Sequence, residues 1–223
     1  MTSARAVVFD FDGVLADTEG AHLAAFQDVF APRGWTLTRT EYFERYLGYD
    51  DRDLVRAFSN DRGLGLAAGE AEALLLDKAR RYEQRLSRGS LLFPTAASAV
   101  ARLAPHYRIG IASGSLRGEI LAILNANGLG DAFPVVIGAD DVARSKPAPD
   151  SYAAAVERLG VSPSAAVAIE DSQWGLTSAR DAGLRTIGVT TSYPAPALSM
   201  AHAIVHSLDE VTVEVVDRLL GVR

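Results

Sequence analysis

The feature that most constrains this chain is a short apolar run, Ala6-Val7-Val8-Phe9, cut off by Asp10-Phe11-Asp12-Gly13. An apolar, β-rich run of this length reads as a buried strand. Two carboxylates one residue apart at the end of such a strand are costly unless something pairs with them. A divalent cation is the natural partner for such a pair.

The segments that follow divide the chain in two. From Thr18 the pattern turns helical, with His22, Ala25, Phe26, Val29 and Phe30 at helical spacing until Pro32 and Gly34 interrupt it. Thr40 is the expected cap of a helix carrying Tyr42, Phe43, Tyr46 and Leu47, ended by Gly48. Asp50 or Asp51 opens the next, with Leu54, Val55 and Phe58 on one face, and Asn60 to Gly63 reads as a loop. A long helix is expected over Glu70 to Leu86, its apolar side formed by Ala71, Leu74, Leu75, Ala79, Tyr82 and Leu86. No strand pattern occurs between Asp17 and Arg88, so this stretch reads as a small helical bundle.

From Phe93 onward helix and strand alternate. Strands are expected at 107–112, 134–137, 165–169, 186–189 and 203–205, and the last helix at 209–220. That alternation implies right-handed crossovers and a parallel sheet covered on both faces. The fold class is therefore α/β, a doubly wound, Rossmann-like core with an inserted α-helical bundle. The core should comprise residues 1–16 and 90–223, and the insert residues 17–89.

Ligands of such sheets sit outside the carboxyl ends of the strands. Three strands end there in polar residues: Asp10 and Asp12, Ser113, and Glu170-Asp171. Asp10, Glu170 and Asp171 supply the oxygen ligands that Mg²⁺ prefers. No histidine or cysteine joins them, which argues against zinc. Ser113, with the amides of Gly114 and Ser115 ahead of a helix, suits an anion such as phosphate. Lys146 stands out because the chain has only two lysines, Lys78 and Lys146, against twenty arginines. In Arg144-Ser145-Lys146-Pro147-Ala148-Pro149 the prolines stiffen the loop that presents its ammonium, which can neutralise a phosphoryl group and keep Asp10 ionised. Taken singly, Ser113 reads as a helix cap, Lys146 as a solvated charge and Glu170-Asp171 as a helix-start pair. The functional reading comes from their joint occurrence, in order, at strand ends and loops.

Composition narrows the partners. Net charge is -6, which argues against nucleic acid. No apolar stretch reaches the eighteen or so residues of a membrane span. Met1 to Arg5 lead into the first strand without the pattern of a secretory leader, and there are no cysteines, so the cytoplasm is the expected compartment.

Asp10-Phe11-Asp12-Gly13-Val14-Leu15-Ala16-Asp17-Thr18 resembles the first motif of the haloacid dehalogenase-like superfamily, in its phosphatase and β-phosphoglucomutase branch. Ser113, Lys146 and Glu170-Asp171 match the later motifs in order, and the resemblance spans nearly the whole chain. It implies Mg²⁺-dependent phosphoryl transfer, with Asp10 as nucleophile and Asp12 as general acid and base. The backbone carbonyl of Asp12 and the carboxylate of Asp171 then bind the metal, and Glu170 binds it directly or from the outer sphere. It also implies that the helical insert is a cap, hinged near Ala16 to Glu19 and Leu86 to Pro94. Thr18, His22 and Arg52 then join Ser113, Gly114, Ser115 and Lys146 as substrate contacts. The mutases carry an arginine near Gly48-Tyr49-Asp50-Asp51-Arg52 for a distal phosphate. Here the count from Gly48 gives Asp51, with Arg52 one residue late, and a carboxylate repels a second phosphate. The resemblance thus favours a phosphatase of a small phosphorylated metabolite, acting as a monomer or small homo-oligomer. A β-phosphoglucomutase-like mutase is the alternative. A dehalogenase, which has no use for Asp12 as an acid, and a non-catalytic binding protein, which has no use for a complete set of catalytic residues, fit less well.

Overall fold

The computed structural model describes residues 4–47, 49, 51–86 and 91–222. The expected helix end at Gly48, the alternative start at Asp50 and hinge positions 87–90 lie outside the described residues. β1 (Ala6–Phe9) is buried along its whole length and lies at the middle of a six-stranded parallel sheet. The other strands are β2 (Arg108–Ala112), β3 (Val135–Ile137), β4 (Ala166–Glu170), β5 (Arg185–Val189) and β6 (Ala203–Val205), in the order β3-β2-β1-β4-β5-β6.

Chain direction across the sheet reverses beside β1, with β2 on one side and β4 on the other. The crevice at such a switch point is where doubly wound sheets hold ligands. Register fixes what meets there. Phe9 is level with Ile111 and Ile169, so Asp10 follows β1 at the height of Glu170. Side chains alternate between faces: Ala6 and Val8 pack with Tyr152, Val156 and Leu159 of α7 (Asp150–Leu159), while Phe9 meets the edge of Phe133 at 5.9 Å. Burying each such side chain is worth roughly 1.5–3 kcal/mol.

The chain forms two compact units, Met1–Asp17 with Ser90–Arg223, and Thr18–Gly89. The second holds α1 (Glu19–Phe30), a single turn α2 (Arg39–Glu41) running into a wide turn at Tyr42–Tyr46, α3 (Asp51–Arg62) and α4 (Ala68–Leu86). Its core stacks Phe30 on Phe58 at 4.2 Å, with Phe26 and Trp35 against Phe30.

Four local expectations are corrected. The cap before Tyr42 is Thr38, not Thr40, because Thr38 is extended and its hydroxyl accepts from the Glu41 amide. Asn60, Asp61 and Arg62 are helical rather than looped. Asp61 accepts from Arg45 and Tyr46, and Arg62 bonds Glu41 while lying 3.7 Å over the Phe58 ring, so their polarity serves tertiary contacts. On α4 Ala79, expected on the apolar side, is exposed, and Lys78 takes the buried position between Leu74 and Tyr82. The last helix, α9 (Val213–Leu219), starts at a Thr212 cap, since residues 208–210 form a separate turn. Among the described residues, no helix is long and apolar enough to cross a membrane.

Candidate active site

In the first unit, three strand ends and one loop bring a cluster of charged side chains together. Asp10 follows β1 and keeps the ladder going, its amide donating to the Ile169 carbonyl at 2.9 Å. Its Oδ1 accepts from the Phe11 amide at 2.7 Å and from Lys146 Nζ at 2.8 Å. The same ammonium donates to Glu170 Oε1 at 2.6 Å and lies 5.0 Å from the Tyr152 ring centroid.

Glu170, fully buried as the last residue of β4, is bonded on both oxygens. Oε1 accepts from Lys146 and from the Tyr152 hydroxyl at 2.9 Å. Oε2 accepts from the amides of Asp171 and Ser172 and from the Ser172 hydroxyl. Ser172 also caps α8 (Gln173–Asp181), accepting from the Gly175 amide at 3.1 Å. The carboxylate leaves no room for a side chain at residue 175, where a Cβ would sit 1.7 Å from Glu170 Oε1. Gly13, at φ +73°, is equally constrained, because its Cβ would meet Asp171 Oδ2 at 1.8 Å. Only glycine combines that left-handed turn with so close an approach.

Asp12 is held from the other side. The hydroxyls of Ser113 and Ser115 donate to its Oδ2 at 3.1 and 2.6 Å, and the Ser115 amide donates back to Ser113 Oγ at 3.0 Å. Ser115 thus reaches Asp12 through its side chain, while its amide is spent within the loop; Gly114 between them is exposed.

Oxygens of Asp10, Glu170 and Asp171 lie within 4.8 Å of one another, all three residues buried. Burial, and then the charge of Glu170, push the Asp10 carboxyl well above its usual range, with Lys146 pulling the other way. Burial works against the Lys146 ammonium, but the charges of Asp10 and Glu170 outweigh it and raise its pKa. Lys146 pairs with Asp10 and Glu170, and the charges of Asp12 and Asp171 also act on Asp10. An oxygen-rich cluster of this kind suits a hard divalent cation.

The structure places the remaining expected contacts in the second unit. Thr18 is buried at the start of α1, its carbonyl accepting from the His22 amide. His22 Nδ1 lies 2.7 Å from Lys78 Nζ, and Lys78 donates to both carboxylate oxygens of Asp51 at 2.7 Å. Arg52 instead lines a groove of about 600 Å³ between α3 and α4, with Arg56, Ser59 and Leu75. Neighbours on a helix point about 100° apart, so Asp51 and Arg52 serve different faces of α3.

Sequence reasoning missed Tyr152, Gly175, Ser115 as a side-chain donor, and Lys78. Of these only Lys78 left a signal, lying four residues from both Leu74 and Tyr82, on their side of the helix.

A parallel α/β core with this acidic cluster at its switch point, and a helical insertion after β1, defines a class of hydrolases. The chain belongs to the haloacid dehalogenase-like hydrolase family, whose model matches residues 7–189. It is 36% identical over 198 residues to protein CbbY of Rhodobacter capsulatus, covering 85% of this chain and 86% of that one. It is 29% identical over 195 residues to a phosphoglycolate phosphatase of Yersinia pseudotuberculosis, covering 85% and 82%. Among solved structures it resembles a mutant of CbbY from Rhodobacter sphaeroides in complex with xylulose-(1,5)bisphosphate. The TM-score there is 0.79 at 29% identity, covering 93% of this chain and 96% of that one.

Proposed function

We propose that this chain is a Mg²⁺-dependent phosphatase that hydrolyses a small phosphorylated metabolite, a sugar phosphate or similar organic phosphate, through an aspartyl-phosphate on Asp10. The observation that carries the reading is the setting of Asp10. Both bonds it accepts converge on Oδ1, from Phe11 and Lys146, which leaves Oδ2 for attack. Asp12, two residues on, is held by Ser113 and Ser115.

Asp10 and Asp171, with the Asp12 carbonyl, would hold the Mg²⁺. Glu170, whose oxygens are occupied by Lys146, Tyr152 and Ser172, orients the site from outside the ligand set. When bound, the ion would supply charge to offset that on the phosphoryl oxygens. Lys146, the Ser113 hydroxyl and the Gly114 amide take the remaining phosphoryl oxygens.

Asp10 Oδ2 attacks phosphorus, the bond from phosphorus to the ester oxygen breaks, and Asp12 gives that oxygen its proton. Asp12, now a carboxylate, takes a proton from water. The hydroxyl adds to phosphorus, and the bond from phosphorus to Asp10 breaks to release phosphate.

We assign catalysis to residues 1–16 and 90–223 and substrate selection to the helical residues 17–89, including Thr18, His22 and Arg52. The alternative, a phosphosugar mutase, needs a cation to grip a second phosphate. Lys78 is neutralised by Asp51, which favours the hydrolase.

One assay separates the two. β-Glucose 1-phosphate with Mg²⁺ and a trace of the bisphosphate primer should yield inorganic phosphate, with little glucose 6-phosphate. Isomerisation outrunning phosphate release tenfold would establish the mutase instead.

A further inference from the structure

Trp174, in the first turn of α8, is 44% exposed. Its place is tied to the carboxylate cluster. It lies three residues after Asp171 and directly before Gly175, whose Cα packs on the Glu170 carboxylate.

Tyr193 reaches the same place from β5. The loop leaving that strand is fastened to the Asp10–Asp12 turn: the Thr191 hydroxyl donates to the Gly13 carbonyl, and Ser192 Oγ lies 2.7 Å from where a Gly13 Cβ would stand. Tyr193 is the next residue, and its ring centroid is 6.3 Å from that of Trp174, the planes tilted by 49°. Two segments, one packed on Glu170 and one fastened to Gly13, thus carry an aromatic pair at the carboxyl ends of β4 and β5.

We propose that Trp174, steadied by Tyr193, is a specificity residue that stacks on the flat face of a ring-bearing phosphate monoester, a cyclic sugar, cyclitol or aryl phosphate. Open-chain phosphates have no such face. This rests on the phosphatase reading above and names its substrate class. A single stacked ring changes affinity by about tenfold or more.

The test compares kcat/KM for glucose 6-phosphate and p-nitrophenyl phosphate with that for glycerol 3-phosphate. In Trp174→Ala the ratio of ring to open-chain substrate should fall at least tenfold, and Trp174→Phe should restore most of it. Binding is read separately in Trp35→Phe/Asp10→Asn protein, where Trp174 is the only tryptophan. Its fluorescence should shift on adding p-nitrophenyl phosphate or glucose 6-phosphate but not glycerol 3-phosphate. A selective fluorescence shift without turnover by wild type would sink the phosphatase reading and leave the stacking site standing. Normal turnover with an unchanged ratio in Trp174→Ala, or a fluorescence shift equal for both classes, would overturn the stacking proposal.

Discussion

The two lysines of this chain, Lys78 buried and Lys146 nearly so with its side chain 11% exposed, sit in opposite kinds of surroundings. Lys78, in the helical unit, is 1% exposed, gripped by both oxygens of Asp51, with His22 at 2.7 Å and the rings of Tyr82 and Phe26 within 5 Å. Among the described residues, Asp51 meets its charge. Lys146, in the α/β unit, bridges Asp10 and Glu170, with Asp12 and Asp171 adding their charge nearby. In the first cluster an ammonium meets a carboxylate. In the second, several carboxylates gather around one ammonium, an arrangement that suits a divalent cation better than a structural ion pair does.

The largest effects should come from breaking the Lys146 cluster. Asp10→Asn is nearly isosteric and cannot form the acyl phosphate, so phosphate release should drop more than a thousandfold with an unchanged circular dichroism spectrum. Turnover above that level would remove the covalent step. Lys146→Met should cost about 10²–10³ in kcat, the usual scale for one charge-stabilising donor. A merely structural lysine would lower the melting temperature and leave kcat per folded molecule intact.

The Lys78 cluster should answer in stability. Asp51→Ala strands the Lys78 ammonium and should cost roughly 2 kcal/mol, less than a fully buried pair because Asp51 is 40% exposed. That corresponds to a melting temperature lower by about 4–8 °C. No change would show that water reaches Lys78 readily.

The smallest effect is an acid one. Burial works against ionisation of Asp51, but the His22 bond and the Lys78 charge outweigh it and bring the carboxyl from 3.8 down to about 2. A depressed folded pKa gives stability that is complete above the unfolded value and is lost as pH falls through the folded one. The melting-temperature gap between wild type and Asp51→Asn should therefore hold at neutral pH and close between 3.8 and about 2. A gap that narrows already near neutrality would point to a different group.

The two regions also differed in how far the sequence revealed them. Asp10, Asp12, Lys146 and Glu170-Asp171 were legible because strand ends and helix starts are marked by local pattern, as in the Ala6–Phe9 run and the Ser172 cap. Their supports were not. Tyr152 and Gly175 matter through contacts with Glu170 that span 18 and 5 residues of chain, and no local periodicity encodes such distances. In the helical unit the apolar stripe was drawn through Ala79, because a lysine on the inner face contradicts hydropathy until Asp51 and His22 are seen to receive it. Arg62 was mistaken for loop polarity for the same reason, since its partner Glu41 lies 21 residues away.

The central claim is that the carboxylates gathered around Lys146 hold a divalent cation. It is tested most directly by Mg²⁺ titration calorimetry on wild type, Asp171→Asn and Asp51→Asn, with phosphate release followed on the same samples. The account predicts one Mg²⁺ per chain for wild type and for Asp51→Asn, strongly weakened binding in Asp171→Asn, and turnover that stops in EDTA and returns with Mg²⁺. Full turnover in EDTA, or Mg²⁺ binding untouched by Asp171→Asn, would contradict it.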